Sequence, residues 1–499
     1  MAANGSARLG ADSPGGNRFP HDDEDVVIVV GSGAGGGTVA NELCQLGIRV
    51  VVLEAGPQLS VDDYDQEEWL AFDRTVWRDP RTTSGSWRLA RDFPALPAWT
   101  VKAVGGTSTH WAGACPRFKD HEFRVKETHG GGIDGANLLD WPIDLRDLEP
   151  FYDQAEAKMG VSERRLRSPL PASENGPALA RNGARWSALT AELPRAARTG
   201  KLDLRAHAHA VQVTHDARGN ADGVIYVDGA GALQRQRAKA VCIAGNAIES
   251  ARLLLLSSSP SHPDGLANSS GQVGRNYMRH LTASVFARFP DPAGMHHGET
   301  ITGKIGDEPC HDPGHGFAGS FYMETLSVGV PFLATFAYRG AWGPELATAM
   351  AAYDRTAGIW IVGEDMPQET NRVTLNPDVS DQHGLPAPNV HCDEHPNDIA
   401  MREYAWAKGQ ALYDAAGAEA TTRTPPYPST HNLGTCRMSE RSQDGVVNGF
   451  GQTHDVPNLF VSDGSVFTSS GAANPTLTIV ALAIRQAEYL AGEIHDRRI

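Results

Sequence analysis

The chain alternates between apolar runs and glycine-rich turns, and that alternation predicts most of its elements. Asp25 to Val30 is a short β-branched apolar run, the pattern of a buried strand. A glycine turn follows, and Thr38 to Leu46 carries apolar residues at helical spacing. Gly47 stands where a helix is stopped, and Arg49 to Leu53 predicts a second strand. Farther on, Trp141-Pro142 marks a turn before a helix over Asp147 to Met159, with acids in its first turn. Ser168 to Asn182, rich in Pro, Ala and Asn, predicts a loop. Between Leu202 and Val227, "AHAVQVTHD" and "DGVIYVDG" alternate as an antiparallel strand pair, with turns at Gly219-Asn220 and Asp228-Gly229. "RAKAVCIAGNAIESARLLLLSSS" returns to strand, small-residue turn and helix, the helix over Ile248 to Leu256.

The texture changes near Gly274. "HLTASVFARF", "GFAGSFYMETLS", "GIWIVGEDM" and "NRVTLNP" are strand-like runs with loops between them. The pattern divides the chain into a disordered tail (1–24), a discontinuous dinucleotide-binding domain (25–274 and 428–499) and an α+β substrate domain with an antiparallel sheet (275–427). The final block predicts a strand over Asn458 to Ser462 and a long helix over Thr476 to Ile494, with Pro475 at or near its first turn. The fold class is therefore α/β, Rossmann-like, with a second α+β domain.

The first turn carries candidate chemistry. Gly31-Ser32-Gly33-Ala34-Gly35-Gly36 is a G-x-G-x-x-G set between a strand and a helix, with Glu54 closing the next strand. Gly31 permits the tight turn, Gly33 lets backbone approach a pyrophosphate, and Gly36 lets helix pack on strand. Glu54 can accept from a ribose hydroxyl. After Glu54 the chain enters a polar and aromatic stretch, Val61 to Thr100, instead of further βα units, which favours FAD over a nicotinamide dinucleotide. A second loop, "AVGGTSTHWAG", offers Gly105 and Gly106 for another close backbone approach.

Net charge is −16, from 44 basic and 60 acidic residues, which argues against nucleic-acid and anionic-membrane surfaces as partners. No apolar run is long enough to span a bilayer, and no secretory pattern opens the chain, so the cytoplasm is expected; export bound to a signal-bearing partner is the alternative. Six scattered cysteines form no C-x-x-C pair, so reduced thiols and no metal site are expected. "HCDEHP", His391 to His395, is bracketed by Pro388 and Pro396 and predicts a loop or strand end. His296, His297, His311 and His315 are expected to be solvated. Arg275 and His280 fall where the chain enters the middle domain and suggest a hinge or interface.

From Asp25 to Ile494 the chain resembles the glucose–methanol–choline (GMC) oxidoreductase family, in a bacterial branch with pyranose oxidases and FAD-dependent sugar or glycoside dehydrogenases. The carrying blocks are "GSGAGGGTVANEL", "VVLEAGP", "AVGGTSTHWAG", "IAGNAIESARLLLLS", "STHNLGTCRMS" and "DVPNLFVSDGSVFTSSGAANPTLTIVALA". The resemblance implies FAD, a two-domain fold and oxidation of an alcohol to a carbonyl. It places the catalytic base at His431 and its partner at Asn474, which on its own could also cap the helix after it. It implies cofactor contacts for Ser108, His110, Asp463, Gly464 and Thr476, and an adenine contact through the Val211 backbone. It leaves open whether His110 is bonded to the flavin or only near it.

Pyranose oxidases follow "STHW" with a threonine linked to oxygen reactivity; Ala112 stands there, which favours a dehydrogenase. The cysteine-rich iron–sulfur segment of some related dehydrogenases has no counterpart. The expected substrate is a sugar or glycoside. Oxygen, a quinone or a redox partner would take the electrons, with a small subunit or a homo-oligomer as the assembly. A sterol or simple alcohol oxidase, and a flavin subunit of an electron-transfer complex, are the alternatives.

Overall fold

The structure is a computed structural model that describes residues 19–60, 63, 75–76, 78–92, 100–161, 185–295, 300–305, 312–427, 429 and 431–499. The loop read over Ser168 to Asn182, most of the Val61 to Thr100 stretch, and His296, His297 and His311 lie outside the described residues.

Four continuous apolar runs build the central sheet: β1 (Val27–Val30), β2 (Val50–Leu53), β8 (Ala240–Ile243) and β16 (Leu459–Val461), every residue of them buried. With β4 (Leu202–Arg205) they form a parallel sheet in the order β16-β8-β1-β2-β4. Strands buried on both faces lose the polar alternation of a half-exposed sheet. The chain runs outward from β1 through β2 to β4, then returns to β8 and β16 on the other flank. The sheet therefore switches direction between β1 and β8, and a crevice opens at the carboxyl ends of those strands.

Helix α1 (Ala34–Gln45) joins β1 to β2 and packs on the last helix of the chain. The end of α1 explains Gly47: with φ +84 its N–H reaches Cys44 O, while Ile48 N–H reaches Leu43 O, the paired closure of a Schellman motif. Helix α2 (Leu145–Met159) is capped by Asp144. Helix α3 (Asn246–Leu256) follows β8.

The antiparallel pair read in "AHAVQVTHD" and "DGVIYVDG" is present as β5 (His209–His215) and β6 (Ala221–Val227), and a third strand, β7 (Leu233–Arg237), extends it. Leu202 to Arg205, just ahead of the pair, is β4, which pairs in parallel with β2. Residues 19–24, read as part of the tail, include packed chain: Phe19 is buried, its N–H donates to Asp203 (3.1 Å) and its carbonyl accepts from Arg205 (3.0 Å).

The middle block holds an antiparallel sheet in the order β10 (Lys304–Ile305), β11 (Phe321–Leu326), β12 (Thr356–Gly363), β9 (Leu281–Arg288), β15 (Ala420–Arg423). Helix α4 (Pro396–Ala415) covers one face of it. A separate hairpin, β13 (Arg372–Ser380) and β14 (Pro386–His391), pairs with β3 (Thr83–Ser84) and packs on α3. Helix α5 (Thr476–His495) closes the chain against α1 and α2.

Candidate functional site

A cavity of about 1010 Å³ opens at the switch point and extends to the substrate-side sheet. Its walls take residues from the ends of β1, β2, β8 and β16, from the second glycine loop and from β11 and β12.

At the first turn, Gly31 has φ +95, and a Cβ there would stand 2.3 Å from Ala244 O. Gly33 has φ −70, so its backbone does not require glycine. A Cβ at Gly33 would meet only Gly106 Cα, at 4.0 Å, and would project into the space a ligand backbone approach needs. Gly36 is a packing glycine, since a Cβ there would lie 2.2 Å from Gly31 O and 2.9 Å from Ala244 Cβ. The first turn of α1 carries no acid, so its positive end faces the cavity unopposed.

Ser32 ties three segments together. Its hydroxyl and N–H donate to Glu54 (2.7 and 3.1 Å), and its oxygen accepts from Gly105 N–H (2.9 Å). Glu54 also accepts from Gly56 N–H (2.9 Å). Burial pushes the Glu54 carboxyl up, against the pull of the Gly56 and Ser32 donors. Gly105 and Gly106, at φ +93 and +52, turn the second loop toward Gly33. The Ser108 hydroxyl donates to Gly105 O (2.6 Å) and accepts from Ala188 N–H (3.0 Å). Ser108, His110 and Ala112 all line the cavity, and burial lowers the His110 imidazole.

Val211 and Asp463 stand differently toward the cavity. Val211 is not a lining residue; Ala208, His209 and Ala210 are. The ladder between β5 and β6 shifts register between Ala210 and Gln212, so Val211 is the extra residue of a bulge and its side chain turns into the core. Asp463 does line the cavity, but both its oxygens are engaged by protein donors: Asn246 N–H (3.0 Å) and Ser250 Oγ (2.5 Å) on one, Ser465 N–H (2.8 Å) and Oγ (2.5 Å) on the other. It locks the end of β16 to the start of α3 and presents Gly464, also a lining residue.

The two candidate reacting groups meet at the far end. The partly buried His431 and the buried Asn474 both line the cavity, as does Thr476. Asn474 does not cap α5: the N-cap position is Pro475, and Asn474 Oδ1 is buried with no hydrogen-bond partner. His280, read as a hinge, instead meets the candidate base. Its Nδ1 lies 2.9 Å from His431 Nδ1, and its Nε2 lies 2.8 Å from Ser470 O. A carbonyl only accepts, so His280 Nε2 carries the hydrogen. Burial lowers both imidazoles, and His280 lowers His431 further, so both are neutral at neutral pH. His280 Nδ1 is then bare, His431 Nδ1–H donates to it, and His431 Nε2 keeps a free lone pair. Trp360 packs near the same imidazole, with ring centroids 5.8 Å apart.

Among the described residues, one group has metal-ligand proximity: His121, Glu122 and Glu364. Its carboxylates already serve as anchors. Glu122 accepts from Lys119 and Ala472 N–H (2.6 Å each), and Glu364 from Ser320 N–H and Oγ (2.9 Å each). His395 of the "HCDEHP" stretch caps α4 by accepting from Asn397 N–H (3.1 Å), and His391 pairs with Asp393 (3.0 Å). Cys44, Cys115, Cys242, Cys392 and Cys436 are not disulfide-bonded.

The donors fit FAD: a glycine cradle at a helix N-terminus, a buried acid at the end of β2, and a long cavity ending at an imidazole and an amide whose oxygen has no partner. Residues 172–282 and 367–483 match the two models of the GMC oxidoreductases. The 2-methyl-1,2-propanediol dehydrogenase of Mycolicibacterium austroafricanum is 34% identical, over 95% of this chain and 96% of that protein. The paromamine 6'-oxidase of Streptomyces fradiae is 29% identical, over 95% and 93%. The solved formate oxidase of Aspergillus oryzae shares the fold, with a TM-score of 0.64 at 17% identity, covering 96% of this chain and 100% of that one. The chain belongs to the GMC oxidoreductase family, FAD-binding enzymes that act on the CH–OH groups of alcohols and sugars.

Proposed function

We propose that this enzyme dehydrogenates an alcohol of compact, largely apolar body, with His431 as the base. The observation that carries the reading is the His280–His431 hydrogen bond, which leaves His431 Nε2 as a bare acceptor in a buried cavity. Gly31, Gly33, Glu54, Gly105, Gly106, Ser108, Gly464 and Thr476 would hold FAD, and His110 would stand beside it. Bound FAD supplies the acceptor for the substrate's hydride. His431 Nε2 takes the hydroxyl proton, a role suited to an imidazole that is neutral at working pH. Asn474 hydrogen-bonds the same oxygen and fixes its orientation.

The wall around Trp360 supports this substrate class. Leu326, Val328, Phe332 and Tyr427 line it, with Ser327 and Ser429 as the nearby hydroxyls. Such a wall favours a small alcohol or diol over a heavily hydroxylated ring, in line with the diol dehydrogenase relative. A sugar or aminosugar is the second reading, favoured by the likeness to paromamine 6'-oxidase. Ala112 lines the cavity with a methyl group that offers no hydrogen bond, which supports an electron acceptor other than oxygen.

The test is anaerobic mixing of the holoenzyme with branched alcohols, diols, sugars and aminosugars, followed by air or a quinone. Bleaching of the flavin by a diol, with recovery by quinone faster than by air, is expected. Bleaching by sugars alone would replace the apolar-alcohol reading. Absence of bleaching by every compound would remove the assignment of His431.

A further inference from the structure

Behind Asn474, away from the cavity, lies a carboxyl that the proposed reaction has not used. Glu324 sits on β11, almost fully buried, directly across the ladder from Trp360 of β12 and from Lys304 of β10. Facing side chains of an antiparallel pair share one face of the sheet, so Glu324 projects to the same side as the ring that packs near His431. The Asn474 side chain adjoins the Glu324 carboxyl. Two acceptors are then left buried with no donor, Asn474 Oδ1 and Glu324 Oε2.

Two unsatisfied acceptors on adjoining side chains point to a missing proton. A buried acceptor without a donor costs about 1–3 kcal/mol. A proton on Glu324 lets its O–H donate to Asn474 Oδ1, and the amide then turns its Nδ2–H₂ toward the cavity. The chemistry requires that orientation. As the hydroxyl proton leaves for His431, negative charge grows on the substrate oxygen, and only an N–H can stabilise it. An ionised Glu324 holds Nδ2 for itself and leaves a carbonyl oxygen to face the charge.

We propose that Glu324 is a positioning residue: in its protonated form it fixes the Asn474 amide with N–H toward the substrate oxygen. This rests on the assignment of His431 and Asn474 to the reacting oxygen. Burial pushes the Glu324 carboxyl up to about 7, against the Asn474 hydrogen bond and the Lys304 charge, which pull it down. Facing the same side are Tyr322, two positions along β11 with Lys119 and Lys304 over its ring, and Tyr427 and His431 beside Trp360; burial keeps the Tyr427 phenol and the His431 imidazole neutral at this pH. Turnover therefore falls as pH rises through about 7, because Glu324 ionises and the amide turns away.

Two variants and one spectrum test this. Glu324→Gln carries a permanent N–H donor for Asn474 Oδ1. It is expected to keep kcat within about threefold of wild type and to lose the decline above pH 7. Glu324→Leu removes the donor and is expected to lower kcat about tenfold or more with KM little changed, a fraction of the 10²–10³ that one oxyanion donor is worth. Infrared difference spectra of wild type minus Glu324→Gln should show a protonated-carboxyl stretch that vanishes with a midpoint near pH 7, whether or not a substrate is known. FAD content and the thermal midpoint report folding, and if Glu324→Leu does not fold, the Gln variant and the spectrum carry the test. A Gln variant that keeps the alkaline decline, or a spectrum with no such band at pH 6, overturns the proposal. If no alcohol bleaches the wild-type flavin, the reading of His431 fails instead, and the band alone still decides the state of Glu324.

Discussion

Replacing His280 by Asn should slow turnover without touching the base itself. Asn is the informative choice because His280 has φ +59, a region that Asn tolerates at little cost. Its shorter amide cannot span from Ser470 O to His431 Nδ1 as the imidazole does. His431 Nδ1–H is then buried without an acceptor, or the ring moves its hydrogen to Nε2 and loses the lone pair that faces the cavity. Leaving a buried donor unpaired costs about 1–3 kcal/mol. At 1.36 kcal/mol per tenfold, kcat should fall by about 5- to 150-fold. The acid limb should also move. His280 and burial together hold His431 well below the usual histidine range, and the base form is lost only when pH falls through that depressed value. Removing His280 raises the His431 value, so the loss of activity begins at higher pH. The assay is anaerobic stopped-flow reduction of the flavin across pH, with FAD content as the control. His431→Ala should cost about 10²–10⁴. The double variant should be no slower than His431→Ala, because His280 acts only through that ring. Losses that add in the double variant would refute the tautomer argument.

Four further outcomes are expected. Gly33→Ala should fold with an unchanged thermal midpoint but bind FAD at least about tenfold more weakly, roughly 1.4 kcal/mol, read by flavin retention on gel filtration; Gly35→Ala, whose Cβ would lie 1.8 Å from Ser462 O, should fail to fold. Asn474→Ala should lower kcat by about 10²–10³ with a small change in KM, measured in the same reductive assay, and an unaltered kcat would exclude the amide from the reacting oxygen. Acid precipitation of the holoenzyme should release the flavin into the supernatant, while colour retained in the pellet and lost in His110→Ala would establish a bond at His110.

What the chain made legible was what is decided locally. The first strand, glycine turn and helix could be read because each glycine answers a constraint imposed by residues near it or by one facing strand. Gly47 was legible for the same reason: a Schellman closure is written within six residues. Legibility ends where pairing is long-range. "LDLR" of β4 carries a buried Asp203–Arg205 pair (2.8 Å), so its polar residues do not announce a strand of the parallel sheet. β7, "LQRQR", is a largely polar edge strand, and nothing in its composition separates it from a loop. The bulge at Val211 interrupts the register of β5 on β6, and alternation counting assumes no bulge.

The site divides along the same line. His431 and Asn474 were found through blocks of residues around them, but the groups that set their protonation and orientation come from elsewhere in the chain. His280 reaches His431 across 151 positions, and its ring is aimed by a left-handed backbone that the string "YMRH" does not announce. Glu324 reads in "FYMETL" as the polar member of an alternating strand, the position usually given to solvent. It is buried because β10 and β12 pair on both sides of β11 and the start of α5 lies over that face. The chemistry of the base depends on the neutral form of one such residue. The chemistry of the amide depends on the proton of the other. A reading by motif therefore finds the atoms that touch the substrate, while the state of those atoms is set by contacts that exist only once the two sheets have assembled.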